Sequence, residues 1–399
     1  MQLQYSPYDF DVHDDPYPYY EQLREQSPVF RNETDDFWAL SRHADVLAAL
    51  RDSDRFSSAN GLRMEPAFWG PQAERFFSFV AMDPPKHTRM RGLVVRAFTQ
   101  HRVQSLEPRL REIARGLLEP LLERGSFDLM SDFAGPYPTE VISELVGVPA
   151  ADRAMVRKLG MEIMYTEEES TDLRPEAMQA IGALVGYYTE LTAERAAHRG
   201  EDLLSALLDA ADGDDRLTPE EIVGVVILLV GAGIETAMLT LGNLWHAAWR
   251  HPDQRRIALG GQSQSPVGRI EDWIDEAMRY DPSNQVILRT TTEPMEVHGV
   301  KIPADARVLL LSGSANRDPR VFENPDRFDL DRDTGDAVAF GSGRHHCLGS
   351  NLGLLELRIA LQEIVLRIAD FEVDPAGLRR IHSSNNRGFT ALPTTVTAR

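Results

Sequence analysis

Apolar residues recur every three or four positions over residues 44–50, 109–122, 139–146, 177–197 and 352–368, the spacing that lines one face of an α-helix. Three short stretches read instead as strands: 37–41, 295–302 with a turn at His298-Gly299, and 307–312, where small and apolar residues alternate. No repeat, heptad run or linker interrupts the pattern, and the small-residue stretch 260–268 reads as a surface loop. The pattern predicts one mainly α domain, 1–399, with a minor β region.

One segment is apolar on every side. Thr218-Pro219-Glu220-Glu221 supplies an N-cap, a first-turn proline and a capping-box glutamate, and no proline recurs until Pro252. Between Ile222 and Trp249 the only formal charge is Glu235. A helix of this length spans about 45 Å and belongs in a core. A membrane span meets the same length test, but Gly224, Gly231, Gly233 and Gly242, the central glutamate and the lack of basic flanks oppose it.

Composition narrows the partners. With 42 Lys and Arg against 62 Asp and Glu the net charge is -20, which excludes a general nucleic-acid binder. The single cysteine, Cys347, excludes an internal disulfide and any multi-cysteine metal cluster, and fits a reducing cytoplasm. The N-terminus carries neither the basic nor the apolar region of a secretory signal, so the expectation is a cytoplasmic protein with no membrane attachment.

That cysteine lies in Phe340-Gly-Ser-Gly-Arg-His-His-Cys347-Leu-Gly349, a glycine-rich loop running into an apolar helix. A helix N-terminus, Arg344, His345 and His346 all favour a thiolate there, and the glycines let a flat ligand approach the backbone. An ordinary buried thiol and a Cys-His nucleophile are the alternatives that the loop alone leaves open. A second constellation, Gly231-Ala232-Gly233-Ile234-Glu235-Thr236, places an acid and an alcohol in the middle of the apolar helix.

Together these segments resemble the cytochrome P450 superfamily, whose haem signature F-G-x-G-x-H/R-x-C-x-G is matched at every fixed position from Phe340 through Gly341 to Gly349. The likeness extends from Asp15-Pro-Tyr-Pro18 to Gly388-Phe389 and is closest to soluble bacterial members of actinomycete type. It implies a triangular-prism-like fold with the long central helix over haem b, iron protoporphyrin IX, and Cys347 as axial metal ligand. His87, Arg91, Arg289 and His345 are then the propionate partners. Ala232 and Gly233 leave room over the distal face, where the family's helix is locally distorted. Thr236 becomes the hydrogen-bond donor on that side, and Glu235 the acid that reloads it from solvent. Glu276 and Arg279, an E-x-x-R pair, are expected to form a structural triad with Arg327.

The implied activity is that of a haem-thiolate monooxygenase, an oxidoreductase that hydroxylates or epoxidises a hydrophobic small molecule such as a polyketide or macrolide-like natural product. It would use O₂ and electrons from NAD(P)H delivered through a ferredoxin reductase and a ferredoxin. Residues 84–105 hold Lys86, Arg89, Arg91, Arg96 and Arg102 and no carboxylate, where composition predicts about three; this basic run is the expected ferredoxin dock. The family's substrate regions fall at 57–80, 159–187, 230–235, 283–288 and 386–389. Phe79, Val230, Val286, Ile287, Leu288 and Phe389 are the expected contacts, with 161–172 as a polar contributor. The competing activities are a hydrogen-peroxide-dependent peroxygenase and a non-catalytic haem-binding protein.

Overall fold

The computed structural model describes residues 3–164, 174–259 and 268–399. Its larger helices are α1 (Lys86–Ala97), α2 (Glu107–Arg124), α3 (Pro136–Val146), α4 (Pro175–Ala197), α5 (Pro219–Arg250), α6 (Ile270–Tyr280) and α7 (Ser350–Arg367). Each periodic segment of the sequence is a helix, with ends shifted by at most three residues. Most of the expected loop at 260–268, and residues 165–172 of the expected polar contributor, lie outside the described residues.

The capping box of α5 is closed in both directions: Glu221 N–H donates to Thr218 Oγ1 at 3.2 Å, and Thr218 N–H donates to Glu221 Oε2 at 2.9 Å. The helix is long and apolar enough to cross a membrane, but α3, α4 and α6 pack against it and Ile222, Val226, Leu239 and Trp245 are buried. It is a core helix. It runs as continuous α-helix through Gly231–Thr236, without the local distortion expected there.

Five strands form the main sheet: β1 (Val29–Asn32), β2 (Phe37–Leu40), β3 (Phe56–Ser57), β4 (Val286–Thr291) and β5 (Arg307–Leu311), in the order β1-β2-β5-β4-β3. β5 runs parallel to β2, with Val308 opposite Trp38, and antiparallel to β4, with Leu309 opposite Leu288. β4 was not expected, because it is almost fully buried and its Val-Ile-Leu-Arg-Thr-Thr sequence shows no alternation. The 295–302 segment is the expected hairpin, turned by His298 (φ 51°) and Gly299 (φ 78°). A further sheet pairs Ile368–Val373 with Pro393–Ala398 and Ser126–Asp128.

Two constraints shape the surroundings of the cysteine loop. A Cβ on Gly343 (φ +70°) would come within 2.7 Å of the Leu50 carbonyl oxygen, so only glycine lets the loop lie on that backbone. Arg279, fully buried, grips Glu276 with two hydrogen bonds of 2.7 and 2.9 Å and donates to the Asn316 carbonyl at 2.9 Å. The third member of this cluster corrects the sequence expectation. Arg327 is 68% exposed and, among the described residues, its side chain reaches only Asp329, at 3.7 Å. Arg332 takes its place, 3.3 Å from Glu276 Oε1 and 8% exposed. The turn closed by Arg327 N–H on the Asn324 carbonyl carries Arg327 outward, and the chain re-enters five residues later.

Candidate active site

A cavity of about 1420 Å³ opens beneath α5. Pockets for small ligands usually measure about 300–1,000 Å³, so it has room for a flat cofactor and a second molecule. Its wall brings together Ala232, Gly233, Glu235 and Thr236 from α5 with Phe340, Gly341, His345, Cys347 and Gly349 from the loop before α7.

The Cys347 sulfur faces the open cavity while protein surrounds it on its other sides. Burial pushes its thiol up; the Gly349 N–H, Arg91 and the Ser350 N–H pull it back down. On α5, Thr236 Oγ1 donates to the Ala232 carbonyl at 2.6 Å, and Glu235 makes no hydrogen bond or ion pair to a described residue. A helical threonine divides between two side-chain rotamers, so the same hydroxyl can serve its helix or the cavity.

Two arginines and two neutral imidazoles crowd one side of the cavity, the arginines with little to neutralise them. Arg289 is 3% exposed and, among the described residues, its side chain donates only to the Leu288 carbonyl, at 2.9 Å; burial lowers its pKa to about 10 against the pull of Asp83. Arg91 donates to the His346 carbonyl at 2.6 Å. Burial first, then Arg289, His87, Arg91 and Arg344, hold His345 down at about 2, and its Nδ1 has no partner. The His87 ring stands 4.2 Å from that of His345, behind the wall rather than on it. Burial, Arg91 and Arg344 lower its pKa to about 4, and neither ring nitrogen is hydrogen-bonded. Buried unpartnered donors facing a cavity fit a ligand bearing carboxylates. With a sulfur at a helix N-terminus on the same wall, the residues present suit a propionate-bearing haem.

Four of the six expected substrate contacts line the cavity: Phe79, Val230, Val286 and Ile287. Two do not, and are corrected. Leu288 points to the opposite face of β4 from Ile287, where it packs with Leu309 and Tyr20. Phe389 is buried against His246 and Arg380, 4.8 and 4.2 Å away. The wall also holds Arg63, Glu65, Asn284, Asn385 and Glu356, which sequence reasoning missed. Arg63 and Glu65 lie inside a region expected to contact substrate, where the aromatics carry the stronger signal. Burial raises the Glu356 carboxyl well above its ordinary range.

The basic run is not the open patch its sequence suggested. Lys86 meets Glu74 at 2.6 Å, Arg89 meets Asp215 and Glu221 at 2.8 and 2.7 Å, and Arg96 meets Asp212 at 2.8 Å. Close to Cys347, Arg344 is exposed and carries no ion pair to a described residue.

A family model described as Cytochrome P450 matches residues 270–397. Across its whole length the chain is 44% identical to a protein named putative cytochrome P450 123 from Mycobacterium tuberculosis, and covers 98% of it. The chain belongs to the cytochrome P450 family. It is also 36% identical to the vitamin D(3) 25-hydroxylase of Pseudonocardia autotrophica, over 96% of this chain and 94% of that one. Cytochrome P450 CYP109Q5 from Chondromyces apiculatus superposes with a TM-score of 0.90 at 30% identity, both chains covered completely. The protein is thus a P450 monooxygenase, an oxidoreductase whose cofactor is haem with a cysteine thiolate as axial ligand.

Proposed function

We propose that residues 1–399 form one cytoplasmic catalytic unit that hydroxylates or epoxidises a hydrophobic, natural-product-like molecule, with electrons passed from NAD(P)H through a ferredoxin reductase and a ferredoxin. The observation that carries this reading is the meeting of Cys347, Thr236 and a set of under-neutralised cations on one large apolar cavity. Cys347 is the axial ligand, since the chain holds no other cysteine. Arg91, Arg289 and His345 hold the propionates, with His87 supporting His345 from behind.

When bound, the haem activates O₂ so that one oxygen atom enters the substrate and the other leaves as water. The chain's own residues do the rest. Ala232 and Gly233 keep the α5 wall low, so that a small molecule fits between helix and cofactor. Thr236 Oγ1 turns from the Ala232 carbonyl to hold a proton in the cavity, and Glu235, without a competing partner among the described residues, replaces it. Phe79, Val230, Val286 and Ile287 exclude water and orient the apolar substrate. The name of the vitamin D(3) 25-hydroxylase supports a large hydrophobic substrate. Arg344 and Arg51, exposed beside the cysteine loop, are the cations that an acidic ferredoxin would meet.

The deciding experiment is the CO difference spectrum of the dithionite-reduced protein. The red-shifted Soret band of a thiolate-ligated haem is expected, and is expected to vanish in Cys347→Ala. Haem without that band, or the band surviving in Cys347→Ala, would overturn the assignment.

A further inference from the structure

The cavity has one corner where opposite charges face each other without closing. Arg63 and Glu65 both line it, and Glu65 is 3% exposed. Arg63 Nε and Glu65 Oε2 stand 3.6 Å apart, beyond hydrogen-bond reach, and both atoms are buried without a hydrogen-bond partner. No other described residue hydrogen-bonds the Arg63 guanidinium, which rests 5.3 Å over the Phe68 ring. The corner is pinned from two sides. Glu65 Oε1 accepts from Ser384 Oγ at 2.6 Å, and the Leu62 carbonyl accepts from Leu288 N–H at 3.1 Å.

Building on the monooxygenase reading above, we propose that Arg63 and Glu65 select a substrate carrying a neutral hydroxyl on an otherwise apolar body. A hydroxyl has one proton to give and two lone pairs. Once the Arg63 side chain, 22% exposed, swings aside to admit it, the hydroxyl donates to Glu65 and accepts from Arg63 at once. A carboxylate that satisfies Arg63 is repelled by Glu65, and a cation that satisfies Glu65 is repelled by Arg63. Selection therefore comes from the rejected charges as much as from the accepted bonds.

The test uses purified holoenzyme and three probes that share one chain: 1-dodecanol, dodecanoate and dodecyltrimethylammonium, each below its micelle-forming concentration. Binding is read by the haem spin-state shift and independently by titration calorimetry. Dodecanol is expected to bind about tenfold more tightly than either charged probe. Glu65→Gln should move the preference to dodecanoate, and Arg63→Gln to the ammonium probe, each by about tenfold. A wild-type protein that binds either charged probe as tightly as dodecanol overturns the proposal, as does an unchanged order in both variants. If one variant fails to fold, the shift in the other still decides, since an apolar cavity alone would also favour dodecanol in the wild type. Failure of the monooxygenase reading appears separately, as a missing thiolate–CO band, and calorimetry gives the head-group order even then.

Discussion

Two arginines five residues apart make opposite predictions, although either could serve the Glu276 cluster by sequence. Arg332 is 8% exposed and donates to Glu276 Oε1 at 3.3 Å, to the Glu323 carbonyl at 2.5 Å, and to the Asn324 and Arg327 carbonyls at 3.0 Å each. Arg332→Ala removes a buried partner of Glu276 and leaves three carbonyls without their donor. Breaking a buried pair costs about 3–5 kcal/mol. Arg279 and the Asp329 N–H, 2.9 Å from Glu276 Oε1, still hold the carboxylate, so the lower half of that range applies. At the usual unfolding entropy per residue, 399 residues give about 0.8 kcal/mol per degree, and the midpoint should fall by roughly 4–5 °C. Arg327→Ala loses only a 3.7 Å contact on the surface, worth under about 0.5 kcal/mol, and its midpoint should stay within about one degree. Thermal unfolding followed by circular dichroism, with the thiolate–CO band as a second probe of the loop, separates the two. If Arg327→Ala destabilises as much as Arg332→Ala, the placement of these side chains is wrong and the motif-based expectation stands.

Three further outcomes are expected, two at the site and one in a buried charge cluster. Thr236→Ala should keep the thiolate–CO band while product per NAD(P)H falls about tenfold or more, the missing electrons appearing as hydrogen peroxide; unchanged coupling would assign the proton to another route. Arg344→Glu should raise the KM for an acidic ferredoxin severalfold at low salt and less at high salt, whereas Arg89→Gln, already neutralised by Asp215 and Glu221, should not; equal effects would return the dock to α1. Asp281 is buried, which alone would raise its pKa, but Arg387 at 2.8 Å, Arg380 and the Tyr17 hydroxyl bring it to about 2. With the folded value below the unfolded one, its contribution of about 2–3 kcal/mol is complete above about pH 5 and is lost as pH falls through about 2. The stability gap between wild type and Asp281→Asn, measured by urea unfolding, should narrow over that interval; a constant gap would contradict the charge assignment.

What could be read in the sequence was local. The cysteine loop, the acid–alcohol pair on α5 and the capping box at Thr218 each lie within about ten residues of chain, so their types and spacing already contain their geometry. Ile287 and Leu288 show where that ends: both are apolar neighbours in one expected substrate region, and only the folded position of an unexpected strand puts Ile287 on the cavity and Leu288 in the core. Charge fails in the same way. Arg89 stands in a run free of carboxylates, yet its acids arrive from positions 126 and 132 residues away, through the turn that leads into α5. Arg63-Met-Glu65 could be seen as opposite charges two residues apart, which on a strand or loop are usually solvated. Ser384, 319 residues later, holds Glu65 in the cavity wall and turns an ordinary surface pattern into a buried, incomplete pair. A chemical type is legible wherever the chain assembles it from neighbours. Its specificity is not, because the atoms that meet a substrate are set by contacts between segments that only the folded chain brings together.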